Sequence, residues 1–156
     1  LGFAVISEIP WYLLNGADRT HNVMFTLALG VATLMVLENL LQRSLVLGFF
    51  WTIGMAGLAS WLGVDYEWRG IIVIVIFYLF NVYGHSFPYS RGMQFFCTFV
   101  LMMYYGVIGA VMGCMVLYLY NGTRGFVQGS IAKYGFYAFY PVHLFVIHYI
   151  NCTYFS

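Results

Sequence analysis

Two titratable residues lie inside otherwise apolar segments: Glu8 at the end of the first run and His143 within the last. Ionisable groups at such positions are costly and usually face a partner or a water-filled cavity. An imidazole accepts protons near neutrality, so His143 is a candidate general base. Glu8 is a candidate to orient His143 or a cationic acceptor. Tyr140 lies on the same helix face as His143 and is a candidate hydrogen-bond donor. The alternative is a packed, structural histidine.

The segment YNGTRG, from Tyr120 to Gly125, carries residue types that suit anion binding. Asn121 and Gly122 favour a tight turn, and Gly125 lets a backbone approach a ligand closely. The planar guanidinium of Arg124 matches a phosphate or carboxylate, and Lys133 adds a second cation. These residues are candidates for binding a phosphorylated ligand. The alternative is the ordinary use of such cations as membrane anchors on the cytoplasmic side.

Polar residues beside other apolar runs are candidates for contact with a substrate. They are His21, Asn22, Asp65 and Tyr66. Of these, Asn22 is also a plausible N-cap for the helix that follows it.

We expect no metal site. His143 and His148 are five residues apart, which rotates them by about 140° on a regular helix, so they cannot bind one ion together. The three cysteines have no CxxC spacing and are expected to be small packing residues; they are Cys97, Cys114 and Cys152.

Composition indicates that the bilayer is the solvent of this chain. The 156 residues are 63% hydrophobic and 7% charged, whereas a soluble domain carries about 25% charged residues. A net charge of +1 argues against a nucleic-acid partner. We expect residues 1–156 to form a single integral-membrane domain, the C-terminal part of a longer protein.

Apolar run lengths predict an all-α, polytopic transmembrane bundle with about five full spans and a partial one at the N-terminus. The expected runs are Leu1–Ile9 (stopped by Pro10), Asn22–Leu40, Ser44–Leu62, Trp68–Tyr83, Gly92–Tyr120 and Ile131–Thr153. The run Gly92–Tyr120 is expected to be one long tilted span, or a span with a short surface helix.

If the spans simply alternate, most polar loops share one side. That side carries four Lys and Arg residues against two on the other, so we expect it to be cytoplasmic. We also expect one cavity on this side to be lined by Glu8, His21, Asp65, Arg124 and Tyr140. Both expectations require Gly92–Tyr120 to cross the membrane once.

Five segments in this order, ISEIPWYLL, HNVMFTLALG, DYEWRGIIVIVIFYLF, YNGTRG and KYGFYAFYPVHL, resemble the TraX family over nearly the whole chain. The family consists of bacterial integral-membrane proteins named for the F-pilin acetylase of conjugation. The resemblance implies a bacterial inner-membrane acyltransferase that takes an acetyl group from cytoplasmic acetyl-coenzyme A. Arg124 and Lys133 would then hold the coenzyme.

The resemblance leaves the acceptor open. It implies transfer to an amine or hydroxyl of a pilin-type protein, a peptide or a glycan. Family members usually carry an Asp-His pair and an Arg-rich stretch ahead of the SEIP region, and nothing in this sequence matches them. The rival function is a non-enzymatic transporter subunit or assembly scaffold, acting with other membrane-protein subunits.

Overall fold

A computed structural model describes residues 2–15, 20–84, 88–119 and 129–154. These residues form seven α-helices and no strand, so the all-α prediction is confirmed. The helices are α1 (Gly2–Asn15), α2 (Val23–Arg43), α3 (Leu45–Leu62), α4 (Glu67–Tyr83), α5 (Ser90–Met102), α6 (Val107–Leu119) and α7 (Ser130–Tyr154), with a 3₁₀ turn at Met103–Tyr105.

Helices α2, α3 and α4 pack around the main apolar core. Ala59 and Ile71 are fully buried there, and Val64 joins them from the loop between α3 and α4. The α2 and α4 backbones come close because Gly70 has no side chain: a Cβ on it would lie 2.6 Å from Thr26 Cγ2. Small residues at a helix contact are typical of packing in membranes.

The first turn of α2 begins where the sequence predicts. The side chain of Asn22 accepts a hydrogen bond of 3.0 Å from the amide of Met24. This satisfies one of the amides that a helix leaves unpaired at its N-terminus. The predicted N-cap is confirmed.

The predicted stop at Pro10 is wrong, because α1 continues through it to Asn15. A proline within a helix removes one backbone hydrogen bond, and packing can compensate. Pro10 is fully buried. Helix α1 also packs on α7, where the ring centroid of Phe3 lies 5.5 Å from that of Tyr137.

The run Gly92–Tyr120 is not one long helix. It contains α5 and α6, which form an antiparallel hairpin with its break at the 3₁₀ turn and Gly106. Gly106 has φ +136°, a conformation that side chains rarely adopt. Across the hairpin, the rings of Phe95 and Tyr118 lie 6.1 Å apart. Each helix has 13 residues, or about 20 Å, less than the 30 Å of a hydrocarbon core.

The hairpin changes the assignment of loops to sides. Its tip lies beside the loop after α3, since the rings of Tyr66 and Tyr105 are 5.2 Å apart. We call this side, formed by His21, Gly63–Tyr66 and Met103–Tyr105, the polar end. Leu119 returns to the opposite side, where α5 begins. The expectation that Gly92–Tyr120 crosses the membrane once is therefore wrong. The argument that placed Arg124 and Asp65 on one side depended on that single crossing.

Two helices, α2 and α3, are long and apolar enough to cross a membrane. Only 22% of the most apolar window of each is buried within the described part of the chain. Their apolar side chains mostly face outward, as those of lipid-facing helices do. Helix α6 and residues Gly2–Leu14 are apolar but shorter. The described helices thus support a membrane protein, while the number of about five full spans is not confirmed.

Candidate functional site

A carboxylate at the polar end holds an imidazole and a buried amide. Glu8 Oε1 lies 2.6 Å from His21 Nδ1, and Glu8 Oε2 accepts a hydrogen bond of 2.6 Å from Asn22 Nδ2. We call these three residues the Glu8 cluster. It joins α1 to the start of α2, and both oxygens of the carboxylate are engaged.

The pairing fixes which imidazole nitrogen can act as a base. Facing an ionised Glu8, Nδ1 of His21 must carry the proton that it donates. In the neutral ring, Nε2 is then left with its lone pair. The His21 side chain is 46% exposed, so a substrate proton can reach it. A carboxylate, an oriented imidazole and an accessible second nitrogen are the parts of a general base.

Asn22 organises the cluster from within the protein. It is 0% exposed, and its Nδ2 also donates to the carbonyl of Ala4 at 2.9 Å. Its Oδ1 caps α2. All parts of the amide are engaged by the protein itself, so Asn22 positions Glu8. The sequence suggested that Asn22 contacts a substrate directly, and this geometry does not support that role.

The loop after α3 forms the neighbouring wall. The backbone amide of His21 donates to the carbonyl of Gly63 at 2.8 Å, which ties the loop to the Glu8 cluster. Asp65 follows, partly buried, and burial raises the pKa of its carboxyl group. The pKa of Tyr66 is also raised, first by burial and then by the charge of Asp65. The partly buried carboxyl group of Asp65 thus lies beside the Glu8 cluster.

Helix α7 brings Tyr140 to the same place. The Tyr140 hydroxyl lies near the start of α2, where the charges of Glu8 and Asp65 act on it. A phenolic hydroxyl can donate a hydrogen bond. Glu8, His21, Asp65 and Tyr140 therefore lie near one another, while Arg124, the fifth residue of the predicted cavity, is outside the described residues.

His143 lies one turn farther along α7 and does not pair with Glu8. Its Nδ1 is 3.1 Å from the carbonyl of Phe139, on its own helix. Its ring contacts Tyr140, with centroids 5.4 Å apart. The expectation that Glu8 orients His143 is wrong, because α1 presents this carboxylate to the start of α2. His21, expected only to contact a substrate, pairs with the carboxylate instead.

The predicted anion-binding residues lie outside the described part of the chain. They are Asn121, Gly122, Arg124 and Gly125, together with the side chain of Lys133. In the described part of the chain, no three His, Cys, Asp or Glu side chains cluster as a metal site would require.

Sequence reasoning missed a stacked arginine beside the polar end. The guanidinium carbon of Arg69 lies 4.0 Å from the ring centroid of Tyr104 and 4.6 Å from that of Trp68. The ring centroid of Tyr105 lies 5.8 Å from the same guanidinium carbon. Cation–π contacts of this kind hold the hairpin tip against α4. Consecutive tyrosines before a glycine give no signal for an arginine about 35 residues earlier in the chain.

Comparison with known proteins gives one match. No curated protein and no solved structure matches the chain. The family model described as TraX protein matches residues 1–151, which is nearly the whole sequence. The chain therefore belongs to the TraX family.

Proposed function

We propose that the protein is an integral-membrane acetyltransferase that moves an acetyl group from acetyl-coenzyme A to an amine or hydroxyl of an acceptor. Family membership supports a membrane protein associated with pilin and conjugation. The observation that carries the enzymatic proposal is the 2.6 Å contact between Glu8 and a half-exposed His21. A carboxylate–imidazole pair of this geometry supplies the base that acyl transfer needs.

The proposed reaction assigns one task to each residue of the site. His21 Nε2 removes a proton from the acceptor as its nitrogen or oxygen attacks the thioester carbonyl. Glu8 stabilises the imidazolium that forms, and the Tyr140 hydroxyl donates to the developing oxyanion. The carbon–sulfur bond then breaks, and the coenzyme leaves as a thiol after it receives the proton from His21. An acetylated acceptor and free coenzyme A are the products.

Binding of the donor is assigned to the segment around Arg124. Because α6 ends at Leu119 on the side opposite the polar end, the coenzyme would have to extend toward the Glu8 cluster for its thioester to reach His21. Coenzyme A carries several phosphate charges, which suit the fork of Arg124 and the ammonium of Lys133. Asn121, Gly122 and Gly125 would shape the turn that presents them. We further propose a multi-pass protein of the bacterial inner membrane, where cytoplasmic acetyl-coenzyme A reaches the site. The acceptor is a pilin-type protein, a peptide or a glycan.

The break in the α5–α6 hairpin favours one alternative. Interrupted helices line the binding sites of secondary transporters, and the chain turns back at Gly106, next to Tyr105, whose ring contacts Tyr66 at the polar end. A transporter subunit or an assembly scaffold would use the same polar end without covalent chemistry.

Thiol release separates the two functions. Protein purified in detergent is incubated with acetyl-coenzyme A and an acceptor, either a peptide with a free N-terminus or a glycan, and free thiol is measured over time. An acetyltransferase releases thiol only with an acceptor, and His21→Ala lowers the rate of release by about 10²–10⁴-fold. His148→Ala, which removes a histidine outside the Glu8 cluster, is the matched control. Folded protein that neither binds acetyl-coenzyme A nor releases thiol supports the alternative.

A further inference from the structure

An apolar cleft runs along the α5–α6 hairpin, away from the Glu8 cluster. Its volume is about 610 Å³. It is lined chiefly by Phe95, Phe96 and Phe99 of α5 and by Cys114, Met115 and Tyr118 of α6. Nearly all of this lining is apolar, so the cleft suits a hydrocarbon ligand.

A cation stands at one end of the cleft. Arg91 is exposed and lies four residues before Phe95, on the same face of α5. The ring of Phe95 contacts that of Tyr118 near the end of α6. Arg91 therefore lies at the end of the cleft where α5 begins and α6 ends. The ion pairs within the described residues join Glu8 to His21 and Glu67 to Arg69. Arg91 therefore has no carboxylate partner there.

The size of the cleft distinguishes between a helix and a slender chain. A helix about 10 Å across and 20 Å long occupies roughly 1,600 Å³, well over twice the volume of the cleft. One acyl chain is slender enough to enter it, and a guanidinium above the chain is placed to bind a phosphate.

We propose that the α5–α6 hairpin binds an anionic phospholipid, with one acyl chain in the cleft and the phosphate on Arg91. The site depends on the membrane location of the protein and is independent of acetyl transfer. Failure of either proposal therefore leaves the other standing.

The test is native mass spectrometry of detergent-solubilised protein with phosphatidylglycerol or phosphatidylcholine of identical acyl chains. We expect wild type to retain phosphatidylglycerol preferentially. Arg91→Ala should weaken its retention by about tenfold or more, as expected for loss of a charge-assisted hydrogen bond. Arg43→Ala, which removes an exposed cation at the end of α2, should change nothing. Cys114→Phe should fill the cleft and reduce retention of both lipids.

Three results would overturn the proposal. Equal retention of the two lipids by wild type excludes recognition of the anionic headgroup. An Arg91→Ala protein that behaves like Arg43→Ala excludes Arg91 as the phosphate site. A protein dimer that Cys114→Phe dissociates shows that a second copy, and not a lipid, occupies the cleft. Arg91 is exposed, so its alanine variant is expected to fold and carries the test even if Cys114→Phe does not.

Discussion

Glu8→Gln is the substitution that most sharply probes the proposed base. The glutamine keeps the shape of the side chain but replaces one acceptor oxygen with an NH₂ group. Asn22 Nδ2 is held by Ala4 and by the N-cap geometry, so the remaining oxygen must face Asn22. The NH₂ group then faces His21 Nδ1 and donates to it. This contact favours the tautomer with hydrogen on Nε2, which cannot accept a proton from the acceptor.

The expected consequence is a fall in kcat with little change in the KM for acetyl-coenzyme A. Loss of a general base costs about 10²–10⁴-fold in rate, and a carboxylate-to-amide change in a serine-protease triad costs about 10⁴-fold through the same tautomer error. Initial rates of thiol release are measured per folded molecule, with the folded fraction taken from size-exclusion chromatography.

Glu67→Gln is the matched control for this experiment. Glu67 makes a longer contact of 3.4 Å with Arg69, and its side chain is 51% exposed. Exposed pairs contribute about 0–1 kcal/mol, so the control should retain nearly the wild-type rate. If folded Glu8→Gln also turns over at the wild-type rate, the carboxylate does not set the tautomer of a catalytic His21.

Three further substitutions test the scaffold. Asn22→Ala removes the cap and the tie to Glu8 and should lower stability by about 1–3 kcal/mol, whereas exposed Asn39→Ala should have little effect in the same thermal melts. The pKa of Asp65 is raised by burial, so stability falls as pH rises from its ordinary pKa through the raised value. Asp65→Asn should therefore stabilise the protein above that window and not below it, as judged by denaturant titrations at two pH values. Gly106→Ala places a Cβ at φ +136° and should cost about 1–3 kcal/mol, while the melting temperature of Gly109→Ala, in an open helical position, should not fall.

Local signals in the sequence predicted most of the helices. The expected runs Asn22–Leu40, Ser44–Leu62, Trp68–Tyr83 and Ile131–Thr153 correspond to α2, α3, α4 and α7. Apolar run length and a polar cap act within a few residues of the position that they define. These features could therefore be read without knowledge of the tertiary fold.

The two errors in helix boundaries arose where tertiary structure decides the outcome. Pro10 usually ends a helix, but its burial against the rest of the protein allows α1 to continue. The spacing of three glycines is typical of a face on which helices pack. They are Gly106, Gly109 and Gly113. Only Gly106 among them takes a positive φ, and composition does not distinguish the residue that breaks the helix from those that remain within it.

The residues of the site were easier to predict than their partners. Glu8 and His21 were both candidates, because polar groups beside apolar runs are conspicuous. Their contact depends on how α1 lies against the start of α2, which no local pattern records. The sequence therefore paired Glu8 with His143, the more conspicuous intramembrane histidine, and left His21 with a lesser role.

Side-by-side kinetics of His21→Ala and His143→Ala test the central claim most directly. Each variant loses one imidazole near Tyr140, either that of His21 within the Glu8 cluster or that of His143 outside it. Initial rates of acceptor-dependent thiol release are compared per folded molecule. With the Glu8–His21 pair as the base, His21→Ala lowers kcat by about 10²–10⁴-fold, and His143→Ala stays within a few-fold of wild type. A wild-type rate for His21→Ala together with an inactive His143→Ala would contradict the assignment. His143 of α7 would then be the general base.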